Sequence, residues 1–548
     1  MVWRPLKQGK GLAFPALMPM LGVMRGVTTR FHFIAVVCAG LFLSACGEDG
    51  GGADPNTSAS DTLRVGVMGL PAMLGNPYAS LNAPTIFTWS AVFDSLTYVG
   101  NDGLVQPWLA TSWEATSPTT WVFKLREGVT FSNGEPFNAE AVVNAVEYLI
   151  SPDALTEVVA QMLSSMTGAR ALDEHTVEIT MSAPNVLFPR EAASLRIVAP
   201  EHWRRLGREG FAQEPHGTGP FRVTAWEPAV VRMEAFEESW RRPHFKKLDI
   251  YAVPEGPQRI QGVISGRLDV VLGTIPDQMA ELEAAGHQWV SIPGGGIYTF
   301  SMILNPDHPA FGPENEPLTD VRVRRAINYA IDRQAYIELL LSNTSRAPSQ
   351  PVPSTVFGYN PDLEPYPYDP DQSRALLAEA GYPDGFDLVF EIVPGTSIPN
   401  GVAIYQKVAE DLRVVGINLE LKTFPLPQYF NAVHTGEFKG QGFMMDFPAA
   451  PQLDALRGMR LHSCLWKTPW LCDEGDQAMI SAALAEPDLE RRRALTQDIM
   501  RRYHEQAYMI YLFERVDYYG VRGGLEGFEA EGLFIQYDKV HEAEKRFN

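Results

Sequence analysis

Apolar and polar residues alternate over residues 62–68 (TLRVGVM), which predicts a strand opening a sheet. Residues 121–126 (WVFKLR) alternate in the same way, and Glu127 and Gly128 turn the chain. Asn138 can cap a helix running through Ile150, with Val142, Val146 and Leu149 on one face. Residues 176–181 (TVEITM) read as a strand ending near Pro184. Further strands are predicted at 221–225, 248–253 and 268–272, with a short helix at 259–265. Thr319 or Asp320 can cap a helix through Ile331, and Asp332 can cap the next. Val402, Tyr405, Val408, Leu412 and Val415 keep helical spacing, and Gly416 can close that helix. Ile417, Leu419 and Leu421 then alternate as a strand, and 473–485 and 489–505 read as two helices. Strands and helices mix along the whole chain, which predicts an α/β fold. No internal repeat interrupts the mixture.

Length and charge narrow this picture. The chain has 548 residues, 45% of them hydrophobic, enough for two or more lobes with substantial cores. Its formal charge is -21, and the first 45 residues hold five of the 45 basic residues and no acid, so removing them leaves 40 against 66 acids, or -26. Such a surface repels phosphate backbones and argues against nucleic-acid binding. It names no ligand, because acidic surfaces also serve solubility.

The N-terminus reads as an address. Arg25 and Arg30 form a basic region, 31–42 is a short apolar core, and small residues precede Cys46. This is the layout of a secretory signal, and the apolar run is too short for a comfortable membrane span. Residues 43–46 (LSAC) resemble the bacterial lipobox, in which the cysteine receives lipid and becomes the new N-terminus. An uncleaved anchor, or a plain signal with a chance cysteine, is the alternative. Residues 1–23 fit no signal layout, consistent with Met24 as the true start. Residues 46–60 are rich in Gly, Ser, Asp and Pro and suit a flexible tether. No later segment is long and apolar enough to cross a membrane, so the rest is expected to be soluble.

With Cys38 in the signal and Cys46 in the lipobox, only Cys464 and Cys472 remain in the mature body. An exported compartment permits disulfides, so these two are expected to pair across a short loop. Zinc would need more ligands at metal spacing than His462 supplies. A secreted hydrolase is the rival class, but G-x-S-x-G, G-x-x-x-x-G-K-[ST] and H-E-x-x-H are missing from the sequence. Pro220 and the strand after it make Gly217 and Gly219 a turn rather than a phosphate loop. Carboxylates are plentiful, but nothing picks out a catalytic pair. The reading is therefore not an enzyme, with no catalytic residues, no metal and no cofactor.

Several segments together resemble the extracytoplasmic solute-binding family 5 of peptide, dipeptide and nickel importers. They are QPWLATSW (106–113) with WVFKLREGVTFSNGEPFN (121–138), GTGPF (217–221) with Trp226, GRLD (266–269), LTDVRVRRAINYAIDR (318–333), AEAGYPDGF (378–386) and the 491–507 stretch. Each is weak alone; their order and spacing from about 62 to 530 carry the signal. The resemblance implies a two-lobed periplasmic-binding-protein fold of type II, with lobes joined by two crossings that close by hinge bending. The crossings are expected near 298–305 and 505–513. The expected division is a signal at 1–45, a tether at 46–60, lobe I at 61–300 with an inserted subdomain at about 105–205, lobe II at 301–505, and a return to lobe I at 506–548. It further implies a monomeric, lipid-anchored, periplasmic component that hands its ligand to the permease and ATPase subunits of an ABC transporter. A ligand sensor of the same fold is the other possibility.

The segment GFMMDFP (442–448) carries the chemistry. In peptide-binding relatives the matching aspartate holds the ligand's α-ammonium, and the matching position is Asp446. Physically, an acid among Phe443, Met444, Met445 and Phe447 is costly to bury unpaired, and a ligand cation compensates it. Methionine and aromatic neighbours supply adaptable apolar walls. The alternatives are an acid paired to a protein arginine or capping a turn before Pro448. Tyr298 and Phe300 at a predicted crossing, and Asn76 and Tyr78 after the first strand, are further wall candidates, with ordinary packing as the alternative. Dipeptide-binding relatives place an arginine for the ligand carboxylate after the strand that follows the GYPDGF turn; here 391–400 (EIVPGTSIPN) has none. The ligand is thus a longer peptide held by backbone hydrogen bonds or another cationic solute, with nickel chelates or oligosaccharides also within reach of such a fold.

Overall fold

The computed structural model describes residues 61–394, 398, 400–449, 453–459, 463–531 and 533–544. The expected secretory signal, Cys46 and the expected tether at 46–60 all lie outside the described residues. A ten-stranded sheet runs through the molecule. Its centre is two long antiparallel strands, Gln288–Met302 and Met509–Val521, paired along their length. On one side of them lie Val270–Leu272, Thr62–Val67, Lys247–Ala252, Val230–Ala235 and Phe221–Glu227; on the other lie Gly442–Pro448, Phe386–Ile392 and Ile417–Thr423. A separate four-stranded sheet is built from Ala110–Ser117, Thr120–Leu125, Thr176–Met181 and Met166–Asp173.

Two large hydrophobic cores divide the chain. One gathers buried residues from Leu63 to Ile292 and again from Tyr519 to Val540. The other runs from Ile297 to Phe513 and takes in Val99 as well. The long strands therefore change cores between Ile292 and Ile297 and between Phe513 and Tyr519, earlier than expected on the first strand and later on the second.

The sheet itself marks the change. Pro293 pairs with Val516 and Ile297 with Glu514, so Gly294, Gly295 and Gly296 bulge out opposite the single residue Arg515. Gly295 has φ +63°, and a Cβ on Gly294 would meet Arg515 Cγ at 2.5 Å. Only glycines let the strand bend here while an arginine crosses its face. A second register shift follows between Tyr298 and Thr299.

Helix ends follow the capping logic of the sequence. Asn138 caps Ala139–Leu149 through Ala141 N, and Asp320, rather than Thr319, caps Val321–Tyr329 through Arg322 N. Asp332 caps Arg333–Leu341, and Asp473 caps Glu474–Ala485. Gly416 (φ +90°) follows Gly401–Val414 and Val415 at the point where a left-handed residue ends that helix.

Candidate functional site

A cavity of about 550 Å³ opens between the two cores. One wall comes from 158–191, beside the four-stranded sheet; the other comes from 454–492. Its charged groups are Arg190 and Glu191 from the first wall and Asp454, Arg457 and Arg492 from the second, with Gln161, Ser165 and Asn185 as neutral polar groups, set among Met162, Leu456, Trp466 and other apolar side chains. Arg492, almost fully buried, pairs with Asp454 Oδ2 at 3.2 Å. Burial pushes the Arg190 guanidinium down to about 10, opposed by the charge of Asp454. Arg457 is lowered by burial in the same way, against Asp454 and Asp446.

Helix Ala455–Met459 delivers Asp454 and Arg457, and it follows the strand that bears Asp446. Asp446 sits opposite Tyr298 on the neighbouring crossing strand. Its Oδ2 accepts from Arg515 Nη1 at 3.2 Å, with the Asp446 side chain 29% exposed. Arg515 also donates from Nη2 to Asp517 Oδ1 at 3.1 Å. The guanidinium thus bridges two carboxylates, and the trio keeps one negative charge in excess. Two carboxylate oxygens, Asp446 Oδ1 and Asp517 Oδ2, are inaccessible and accept no hydrogen bond from the described residues. Burial pushes the Asp446 carboxyl above its usual range, with Arg515 opposing and Asp517 adding to the rise. Arg515 is held well above its ordinary value, first by Asp517.

The pairing of Asp446 with a protein arginine was one of the alternatives for this acid, and its partner lies 69 residues away, where local sequence carried no hint of it. Phe443, Met444, Met445, Phe447, Tyr298 and Phe300 are all buried in the second core, and Tyr429 Oη donates to Met444 O at 2.9 Å behind them. Asn76 and Tyr78 are buried in the first lobe: Asn76 Nδ2 donates to Glu157 Oε1 at 3.1 Å and Tyr78 Oη to Arg196 O at 3.0 Å. Asp446 is the most exposed of these positions. It does not line the cavity; Arg457, which does, feels its charge. Sequence reasoning missed Arg190, Arg457 and Arg492 as cavity residues, because nothing in the residues around each points to a ligand.

Cys464 and Cys472 form a disulfide, with Cα atoms 4.7 Å apart. The loop it closes places Leu465 and Trp466 in the cavity wall, and Trp466 Nε1 donates to Val433 O at 3.0 Å. Among the described residues, no group of three or more His, Cys, Asp or Glu is placed to hold a metal ion. Among the same residues, no helix is long and apolar enough to cross a membrane.

Residues 105–444, more than half the chain, match the family described as bacterial extracellular solute-binding proteins, family 5 Middle. The chain belongs to this family. It is similar to the heme-binding protein A of Haemophilus influenzae, 27% identical over 61% of this chain; the match spans 64% of that relative's length, just under two thirds. It is similar to the dipeptide-binding protein of Escherichia coli, 23% identical over 82% of this chain and 90% of the relative. Among solved structures it resembles HbpA2 from Haemophilus parasuis, with a TM-score of 0.74, 23% identity, and coverage of 88% of this chain and 99% of that one. That likeness carries the two-lobed α/β fold.

Proposed function

We propose that this protein is the lipid-anchored capture subunit of an ATP-driven importer, enclosing a peptide or similar small zwitterionic or cationic solute between its lobes. The observation that carries this reading is the 550 Å³ cavity walled by residues 158–191 on one side and 454–492 on the other. Such cavities are the usual size for small ligands. Asp446 is the proposed contact for a ligand ammonium, with Phe443, Met444, Met445 and Phe447 fixing its strand from behind and Tyr298 beside it. Tyr298, Asn76 and Tyr78 remain proposed wall residues that a change of lobe angle would present. Relatives named for heme and for dipeptides support a broad ligand range for the fold. The domain reading is lobe I at 61–300 with its insert, lobe II at 301–505, and a C-terminal return. A monomer tethered through lipid on Cys46 would present the closed form to permease and ATPase subunits. Membership of a solute-binding family argues for capture without turnover.

Two measurements test this. Mass spectrometry of solute carried by the native protein should find a bound small molecule, and that molecule should raise the melting temperature. Chemical conversion of the solute at a protein-dependent rate would overturn the reading. A palmitate analogue should label the native chain and not Cys46→Ser; label retained on the variant would refute the anchor.

A further inference from the structure

Resting on the reading of Asp446 as an ammonium contact, we infer that Arg515 is a built-in placeholder for the ligand cation: a ligand ammonium exchanges with it on Asp446, while Asp517 retains the displaced guanidinium. The grip on that guanidinium is uneven. Arg515 donates to Asp517 Oδ1 twice, from Nε at 3.2 Å and from Nη2 at 3.1 Å, but to Asp446 Oδ2 only once, from Nη1 at 3.2 Å. The link to Asp446 is therefore the one that can be given up with the side chain still tied. Asp446 also has unfilled capacity. Among the described residues only Arg515 donates to its carboxylate, and Oδ1, inaccessible here, accepts no hydrogen bond from them. A carboxylate takes several donors, and an ammonium brings three where Nη1 brings one. Exchange thus leaves Asp446 better satisfied than it is with Arg515.

Placement and charge point the same way. The Asp446 side chain is 29% exposed, against 16% for Arg515 and 17% for Asp517, so a solute reaches Asp446 first. The Arg515 stem lies on the bare backbone of Gly294, where a Cβ would meet Arg515 Cγ at 2.5 Å and Asp517 Oδ2 at 3.0 Å. The exchange therefore takes place at the bulge, where the crossing strand changes cores. Two acids and one arginine leave a single negative charge in excess, which one ligand cation balances. Were Arg515 held by Asp446 alone, no charge would be left for a ligand. Asp517 is thus a positioning residue: it touches no ligand, but by holding Arg515 it makes Asp446 available. The ligand class that fits is a solute with a free ammonium, such as an unblocked peptide N-terminus, and an acylated amine is refused because it cannot replace the charge that Arg515 withdraws.

The test is calorimetric titration of the native chain, stripped of solute, with a pool of tripeptides and the same pool N-acetylated. The free amines should bind about 10-fold more tightly than the acetylated pool, the scale of a charged hydrogen bond. Asp517→Asn leaves Arg515 to Asp446 alone, so free amines should weaken about 10-fold while the acetylated pool is unchanged. Adding Arg515→Gln to Asp517→Asn removes the competitor and should reverse the sign, taking free amines about 10-fold above the native affinity. Free amines unchanged by Asp517→Asn, or bound no more tightly by the double variant than by the native chain, overturn the exchange and leave Asp446 as a plain contact. Equal weakening of both pools marks a structural role for the trio and overturns it as well. If Asp517→Asn does not fold, the double variant, which keeps the net charge of the native trio, decides alone. If Asp446→Asn keeps the amine preference, or neither pool binds the native chain, the ammonium reading itself falls and the exchange with it.

Discussion

Asp446→Asn separates the two jobs an acid does in this site. Across the 3.2 Å to Arg515, the gross attraction at an effective dielectric of about 20 is about 5 kcal/mol. Burial and the like charge of Asp517 oppose it, and the net effect is a carboxyl that holds its proton more tightly than in water. The ionised form is thus disfavoured in the folded state, and an amide relieves that cost. Arg515 keeps Asp517 at 3.1 Å, so no charge is stranded. Unfolding entropy of about 2.1 cal/mol/K per residue over residues 61–544 amounts to about 1 kcal/mol/K, so 1 kcal/mol moves the melting temperature by only about 1 °C. Asp446→Asn should leave the melting temperature unchanged or raise it by about 1–2 °C. Its effect on a ligand ammonium is larger: loss of a charged hydrogen bond of about 1.5–3 kcal/mol weakens binding about 10- to 150-fold. Melting is therefore the wrong primary assay. Calorimetric titration with a peptide and its N-acetylated form is the right one, because only the free amine should lose affinity. A change under about threefold for the free amine removes Asp446 from the site. A drop of several degrees in melting would show that the pair stabilises the fold and that the charge argument is wrong.

Gly103→Ala should hold the lobes apart, because Gly103 has φ +73° and an added Cβ would lie 2.0 Å from Thr355 O; small-angle scattering should show no contraction with ligand and affinity should fall at least about 100-fold, whereas normal closure would refute the contact. Burial holds the Glu514 carboxyl up at about 7; the fold then binds this proton more tightly than the unfolded chain, so stability falls as pH rises from about 4.5 to 7 and is flat above. Glu514→Gln should raise the melting temperature at pH 8 and leave it unchanged at pH 4, and a lower value at pH 8 would contradict the sign. Reducing Cys464–Cys472 frees a loop whose closure is worth about 2–3 kcal/mol in chain entropy, and with Leu465 and Trp466 loosened, ligand affinity should fall about 3- to 10-fold; full affinity with the bond broken would detach this loop from the site.

Elements with strong local signals were legible. The predicted strand at 176–181 coincides with Thr176–Met181, and the helices at 473–485 and 489–505 with Glu474–Ala485 and Leu489–Glu505. The long crossing strands were not, because their apolar runs are buried on both faces and their partners are remote in sequence. The bulge at 294–296 shows only in the pairing with 514–516, remote in sequence. The acid at 446 was legible from its apolar neighbours, but its link to Arg515 was not, since that contact spans 69 residues. The arginines of the cavity were illegible for the same reason: Arg190 stands on one wall and Arg492, paired with Asp454, on the other, and no window of sequence contains both.

The interleaving of the two cores orders events as the chain emerges during export. The second core is contained between Ile297 and Phe513 apart from a few residues near Val99, so it can pack before synthesis ends. The first core opens at Leu63 yet needs Tyr519, Val521, Leu525, Ala530, Ile535, Tyr537 and Val540. Its N-terminal strands must wait, partly unsheathed, for the last thirty residues. The lobe made first is thus finished last, and its apolar strand faces stay open to misassociation while the rest of the chain is delivered.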